Sequence, residues 1–137
     1  MSSQLNTNAP SNASQPAPYT SRFVEVDGLS LHYLDYGTAG RPAMLCVHGG
    51  AANGHWFDFV AAGFSADHHV LAIDQRGHGE SAWAQPPDYT YERYAADLDA
   101  VVTKLGLNDF TLVGHSMGGT VALTYAATYP GRVSRFV

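Results

Sequence analysis

The sequence predicts an α/β domain whose sheet is mostly parallel and carries helices on both faces. Three observations lead there. Short, continuous apolar runs read as strands buried on both sides, the habit of a parallel sheet. Longer stretches with apolar residues at helical spacing separate those runs. Ahead of both lies a pair of alternating segments joined by a tight turn, which would extend the sheet at one edge.

In chain order, residues 1–20 carry no charged side chain and are rich in Ser, Asn, Pro, Ala and Gln. Such a stretch buries too little apolar surface to offset the entropy of ordering it. A flexible tail is expected over 1–20, and the folded domain over 21–137. "RFVEV" and "LSLHYLDY" alternate on either side of Asp27-Gly28, a hairpin signature. "AMLCVH" (43–48), "HHVLAID" (68–74) and "DFTLVG" (109–114) are the buried runs. "GHWFDFVAAGF" should be helical after the first of them. After the second, Tyr94, Leu98, Val101, Val102 and Leu105 mark one face of a longer helix, with Thr90 as N-cap and Gly106 beyond its end. The third run passes through Ser116 into "MGGTVALTYAATY", a helical segment stopped at Pro130-Gly131, and "RVSRFV" begins a further strand.

Composition narrows the function. The chain has 137 residues, 45% of them apolar and 14% charged, enough for one domain with a core. Its net charge is −5 and its seven Lys and Arg form no stripe, which argues against a nucleic-acid partner. No segment approaches the length of a membrane span, so no membrane partner is expected, and no basic-then-apolar leader opens the chain. The single Cys46 lies in an apolar run and reads as an inert buried thiol. A cytoplasmic setting follows as an expectation. Of the seven histidines, His68 and His69 are adjacent and face opposite ways on a strand, and none shows H-x-x-x-H spacing. No metal and no cofactor are expected.

Three strand ends carry the chemistry. Gly114-His115-Ser116-Met117-Gly118 is a G-x-S-x-G pattern between an apolar strand and a helix. A tight turn there lifts the serine hydroxyl out of the sheet, and the glycines two residues either side let the backbones pass. The start of the following helix favours negative charge developing nearby. Val47-His48-Gly49-Gly50 ends the first buried strand, where the N–H of Gly50 or of Ala51 can join that of Met117 in facing an oxyanion. "DQRGHGES" (74–81) ends the second; Asp74 and Arg76 can pair to hold a loop around Gly77 and Gly79, a scaffolding role preferred to the alternative that Asp74 or His78 is catalytic. One gap stands out. The chain after Ser116 contains no Asp, Glu or His to take the serine's proton.

These motifs resemble the α/β-hydrolase superfamily. The resemblance runs from about Phe23 to Val137 and rests on "VHGG", "AIDQRGHGES" and "LVGHSMGGTVALTYAATYP" in order and spacing. It implies Ser116 as nucleophile, the amides of Gly50 and Met117 as oxyanion hole, and His48, Gly49, Asp74, Arg76, Gly77, Gly114 and Gly118 as structural positions. In that family the acid and the base follow the serine in chain order. The resemblance therefore covers an N-terminal half, truncated at about the sixth strand, with the acid and base expected beyond it. His78, on a neighbouring strand-end loop, is the nearest upstream substitute; the side chain of His115 should point elsewhere.

The expected activity is that of a serine hydrolase on a small-molecule ester, lactone or related acyl bond. Epoxide hydrolases and haloalkane dehalogenases share the "DQRGHGES" region but use Asp as nucleophile, and Ala51 stands where epoxide hydrolases tend to have Pro. Proline iminopeptidases continue Pro-Gly where this chain has Ala51-Ala52. Cofactor-free haloperoxidases and carbon–carbon bond hydrolases stay open. So does a non-enzymatic reading: an inactive fragment or assembly module whose exposed sheet edge self-associates or recruits a complementing C-terminal chain.

Overall fold

The computed structural model describes residues 15–137. Six strands form one sheet: β1 (Thr20–Val26), β2 (Leu29–Asp35), β3 (Ala43–Val47), β4 (His69–Ile73), β5 (Phe110–Gly114) and β6 (Val133–Phe136). Their spatial order is β1-β2-β4-β3-β5-β6. β1 and β2 pair antiparallel, β2 joins β4 antiparallel, and the remaining pairings are parallel. The hairpin thus sits at one edge, as the alternation predicted. Asp27 and Gly28 both have positive φ (48° and 81°), the conformation a two-residue hairpin turn demands.

Three helices cover the sheet: α1 (Asp58–Phe64), α2 (Tyr91–Lys104) and α3 (Met117–Thr128). Phe57 and Ala61, at and within the start of α1, pack with Leu34, Met44, Cys46 and Val70 on one face. On the other face α2 and α3 bury Leu98, Val102, Val121 and Tyr125 against Leu45, Leu71 and Leu112. Residues 44–47 of β3 and 70–73 of β4 therefore meet protein on either side of the sheet, which is why they are apolar. Cys46 lies fully buried on the α1 side, and burial pushes its thiol up to about 12.

Two boundaries differ from expectation. The stretch 54–64 is not one helix: Gly54–Phe57 forms a 3₁₀ turn capped by Asn53, and α1 follows. Gly54 is held by its N–H to Asp74 Oδ1 at 2.6 Å, which fixes the chain before the helix can begin. The expected flexible tail falls outside the described residues for 1–14, but residues 15–20 belong to the fold. Ala17 is buried and donates its N–H to the Asp58 carbonyl at 3.1 Å; Tyr19 packs edge-on against Tyr36 and His55; Thr20 opens β1. The helix over α2 begins and ends as expected. The Thr90 side chain accepts from Arg93 N–H, and Gly106 follows the C-cap with φ 65°.

Candidate active site

Val47, Ile73 and Gly114 lie in register across the sheet. The segments that follow them, His48-Gly49-Gly50, Asp74-Gln75-Arg76 and His115-Ser116, consequently emerge together at the carboxyl ends of the parallel strands, where ligands bind in sheets of this kind.

At the end of β5 the chain turns within two residues into α3. Ser116 adopts φ 54° and ψ −120°, a backbone conformation that strains any residue with a side chain. It is exposed, and its hydroxyl has no hydrogen-bond partner among the described residues. Its carbonyl accepts from Gly119 N–H at 2.8 Å, and His115 N–H donates to the Val47 carbonyl at 3.0 Å, so the turn is fastened on both sides. The flanking glycines are there for space. A Cβ on Gly114 would sit 2.7 Å from the Gly118 carbonyl oxygen, and one on Gly118 would fall far inside contact distance of the carbonyl oxygens of Val47 and His48.

The glycine loop after β3 runs directly beside this turn. A Cβ on Gly49 would lie 3.2 Å from that of Ser116, and one on Gly50 would lie 3.8 Å from Met117 Sδ. The N–H groups of Gly50, Ala51 and Met117 find no acceptor among the described residues. His48, fully buried, holds the loop in place. Its Nδ1–H donates to the Gly49 carbonyl at 2.7 Å and its Nε2 accepts from Gln75 N–H at 3.0 Å, an arrangement that fixes the neutral tautomer. Burial lowers its pKa, against the opposing pull of the Gly49 hydrogen bond.

Asp74 and Arg76 do not pair, contrary to the expectation from sequence. The Asp74 carboxylate takes His32 Nδ1 at 2.8 Å, Gly54 N–H at 2.6 Å and Glu80 N–H at 2.9 Å. Arg76 instead grips Asp97 of α2 through Nε at 2.6 Å and Nη2 at 2.8 Å, and its Nη1 donates to the Asp88 carbonyl at 3.1 Å. Burial acts to lower the Arg76 pKa, but the Asp97 hydrogen bonds and charge outweigh it and hold the guanidinium above its ordinary value. The loop is closed over these groups. Gly79, at φ 52°, passes so near the Asp74 carboxylate that a Cβ would collide with it, and a Cβ on Gly77 would meet the Tyr89 ring.

Two partners escaped sequence reading. His32 is a polar residue on a buried strand, and Asp97 sits on the buried stripe of α2 between Tyr94 and Leu98. A carboxylate on an apolar helix face signals a cation opposite, though not which one. His32 also completes a Ser–His–Asp alignment, since its Nε2 lies 2.6 Å from Ser21 Oγ. That nitrogen is 3.1 Å from Glu80 Oε2 as well, and Asp74 is occupied by two backbone amides, so the array ties β1, β2 and the 74–81 loop together.

No histidine bonds to Ser116 among the described residues. His78 donates Nδ1–H to the Arg76 carbonyl at 3.0 Å and its ring centre lies 5.0 Å from that of His48. The His115 ring stacks on Trp56, centres 4.8 Å apart. No group of residues suited to a metal ion occurs among those described.

The family model for the alpha/beta hydrolase fold matches residues 42–137, a span holding all three strand-end segments. The chain belongs to the α/β-hydrolase family. Among similar α/β-hydrolases, epoxide hydrolase 4 of Mus musculus is 31% identical over 133 residues, which are 95% of this chain and 37% of that protein. Non-heme chloroperoxidase CPO-A1 of Kitasatospora aureofaciens is 39% identical over 106 residues, 75% of this chain and 37% of that one. The crystal structure of a membrane phospholipase A described as a bacterial virulence factor superposes with a TM-score of 0.83 at 30% identity, covering 86% of this chain and 38% of its own. The chain thus spans little more than a third of the length of these α/β-hydrolases.

Proposed function

We propose that this protein is a serine hydrolase acting on ester, lactone or related acyl bonds through Ser116. The observation that carries the reading is a serine hydroxyl with no partner among the described residues, held at φ 54° beside a glycine loop whose amides also lack acceptors there. These groups are open to solvent, and a hydroxyl beside amides that have no acceptor of their own suits a charge that exists only during reaction. In the first step Ser116 Oγ bonds to the acyl carbon and its proton leaves to a base. The carbonyl oxygen takes the negative charge and accepts from the N–H groups of Gly50 and Met117. Collapse expels the alcohol, which takes up the proton, and water then releases the acid from the serine ester by the same sequence.

His32, His48 and His78 are engaged elsewhere, so we assign the base and its acid to residues outside those described, on a following segment or a complementing chain. The outer edge of β6, unpaired among the described residues and carrying the exposed Phe136, suits such a chain. No described helix is long and apolar enough to cross a membrane. A fluorophosphonate probe tests the reading on protein expressed from its whole reading frame. Label on Ser116, lost in Ser116→Ala, is expected; a folded protein that takes no label contradicts it. The chloroperoxidase likeness favours a second reading, a cofactor-free haloperoxidase using the same serine. Peroxide-dependent bromide oxidation that disappears in Ser116→Ala would select it.

A further inference from the structure

A concavity lies at the opposite end of the sheet from Ser116. It opens at Ala43 and His69, the first residues of β3 and β4, roughly 15 Å along the strands from their carboxyl ends. Its volume is about 500 Å³, within the range of small-molecule sites. The C-terminal turn of α2 forms one wall through Leu105 and Leu107, and Leu71 of β4 lies on the sheet side.

The polar lining is uneven in a way that selects a ligand. Tyr33 lines the cleft, and its hydroxyl, which solvent reaches, has no hydrogen-bond partner among the described residues. Asp35 is already compensated: it accepts from Gly37 N–H and His69 Nε2 at 2.9 Å each, and from Arg22 Nε at 3.0 Å. Arg41, also in the lining, makes no ion pair with any described carboxylate. With Asp35 paired to Arg22, the cleft keeps one positive charge without an ion-pair partner among the described residues, one accessible hydroxyl without a partner there and an apolar wall. The carbonyl end of α2 carries partial negative charge. An anionic head therefore belongs with Arg41, and an apolar body with Leu71, Leu105 and Leu107.

We propose that this cleft is a binding site for an amphipathic carboxylate, its head held by Arg41 and Tyr33. The site is separate from Ser116 and does not depend on that residue's role. Octanoate titrated into the full chain by calorimetry or ligand-observed NMR should bind saturably. Octyltrimethylammonium, of the same chain length and opposite charge, should not. Arg41 is exposed, so its replacement leaves the core alone. Arg41→Leu should weaken octanoate about tenfold or more, the usual worth of a charge-assisted hydrogen bond. Arg41→Glu should reverse the preference between the two ligands, Tyr33→Phe should weaken octanoate several-fold, and Ser116→Ala should bind it as the parent does. The proposal is overturned if octanoate does not saturate, if the ammonium binds equally well, or if Arg41→Leu and Arg41→Glu variants with parental thermal melts bind octanoate unchanged.

Discussion

The ends of β4 and β5 lie in the same layer of the molecule and are built on opposite principles. After β4, Asp74 and Arg76 have their charged groups saturated: three donors converge on one carboxylate, and the guanidinium meets a carboxylate and a carbonyl. After β5, the Ser116 hydroxyl and the Met117 amide stand without partners among the described residues, on a strained backbone. Saturated groups hold a shape, because leaving one unpaired in the interior is costly. Unsaturated groups on a rigid frame are available to a substrate. The two ends depend on each other, since Gln75 N–H fixes His48, and His48 fixes the glycine loop that faces Ser116.

The contrast can be broken at several points. The largest effect should come from Gly118→Ala, whose methyl would drive into the Val47 carbonyl and separate α3 from β3. We expect a loss of about 3 kcal/mol or more in urea unfolding, together with loss of the Ser116 turn. Next comes Arg76→Leu, which strands Asp97 in the core; Arg93 Nε at 3.8 Å compensates only in part. About 3 kcal/mol should be lost, and the double variant Arg76→Leu/Asp97→Leu should lose less than Arg76→Leu alone. At the other strand end the sign reverses. Ser116→Gly removes the strain at φ 54° and should stabilise the fold by about 1 kcal/mol while abolishing fluorophosphonate labelling. A destabilised Ser116→Gly would mean that the serine side chain is structural.

The smallest effect is a pH slope. The lowered pKa of His48 means that, between that value and the ordinary histidine value of about 6.5, the unfolded chain binds more protons than the folded one. Its contribution to stability is therefore fully present above about pH 6.5 and is lost as pH falls through the lowered value. Urea midpoints measured from pH 8 down to pH 5 should show this loss, and His48→Gln should remove that part of the slope. Asp35 acts further down. Burial would raise its pKa, but the Gly37 amide, His69 and Arg22 prevail and hold it below the usual carboxylate range, so its contribution fades only under more acidic conditions.

What could be read from the sequence followed the range of the interaction. The Asp27-Gly28 turn, the Thr90 cap and the close approach at the glycines 114 and 118 each express a constraint within a few residues, and the structure shows each of them. The pairing of Arg76 with Asp97, and of Asp74 with His32, spans 21 and 42 residues. Periodicity places Asp97 on the buried face of α2 but cannot name the cation that α2 will meet across the sheet. Proximity in sequence suggested Asp74 with Arg76 instead. The 15–20 segment was hidden for a related reason. Its Pro and Ala composition reads as tail, and only the fold shows Ala17 docked on Asp58.

The most direct test is a crystal structure of the protein, expressed from its whole reading frame, after reaction with a small fluorophosphonate. Phosphorus should be bonded to Ser116 Oγ, with the phosphonyl oxygen about 2.7–3.1 Å from the nitrogens of both Gly50 and Met117. An adduct on another residue, or a phosphonyl oxygen turned to solvent with those two amides unoccupied, would contradict the assignment.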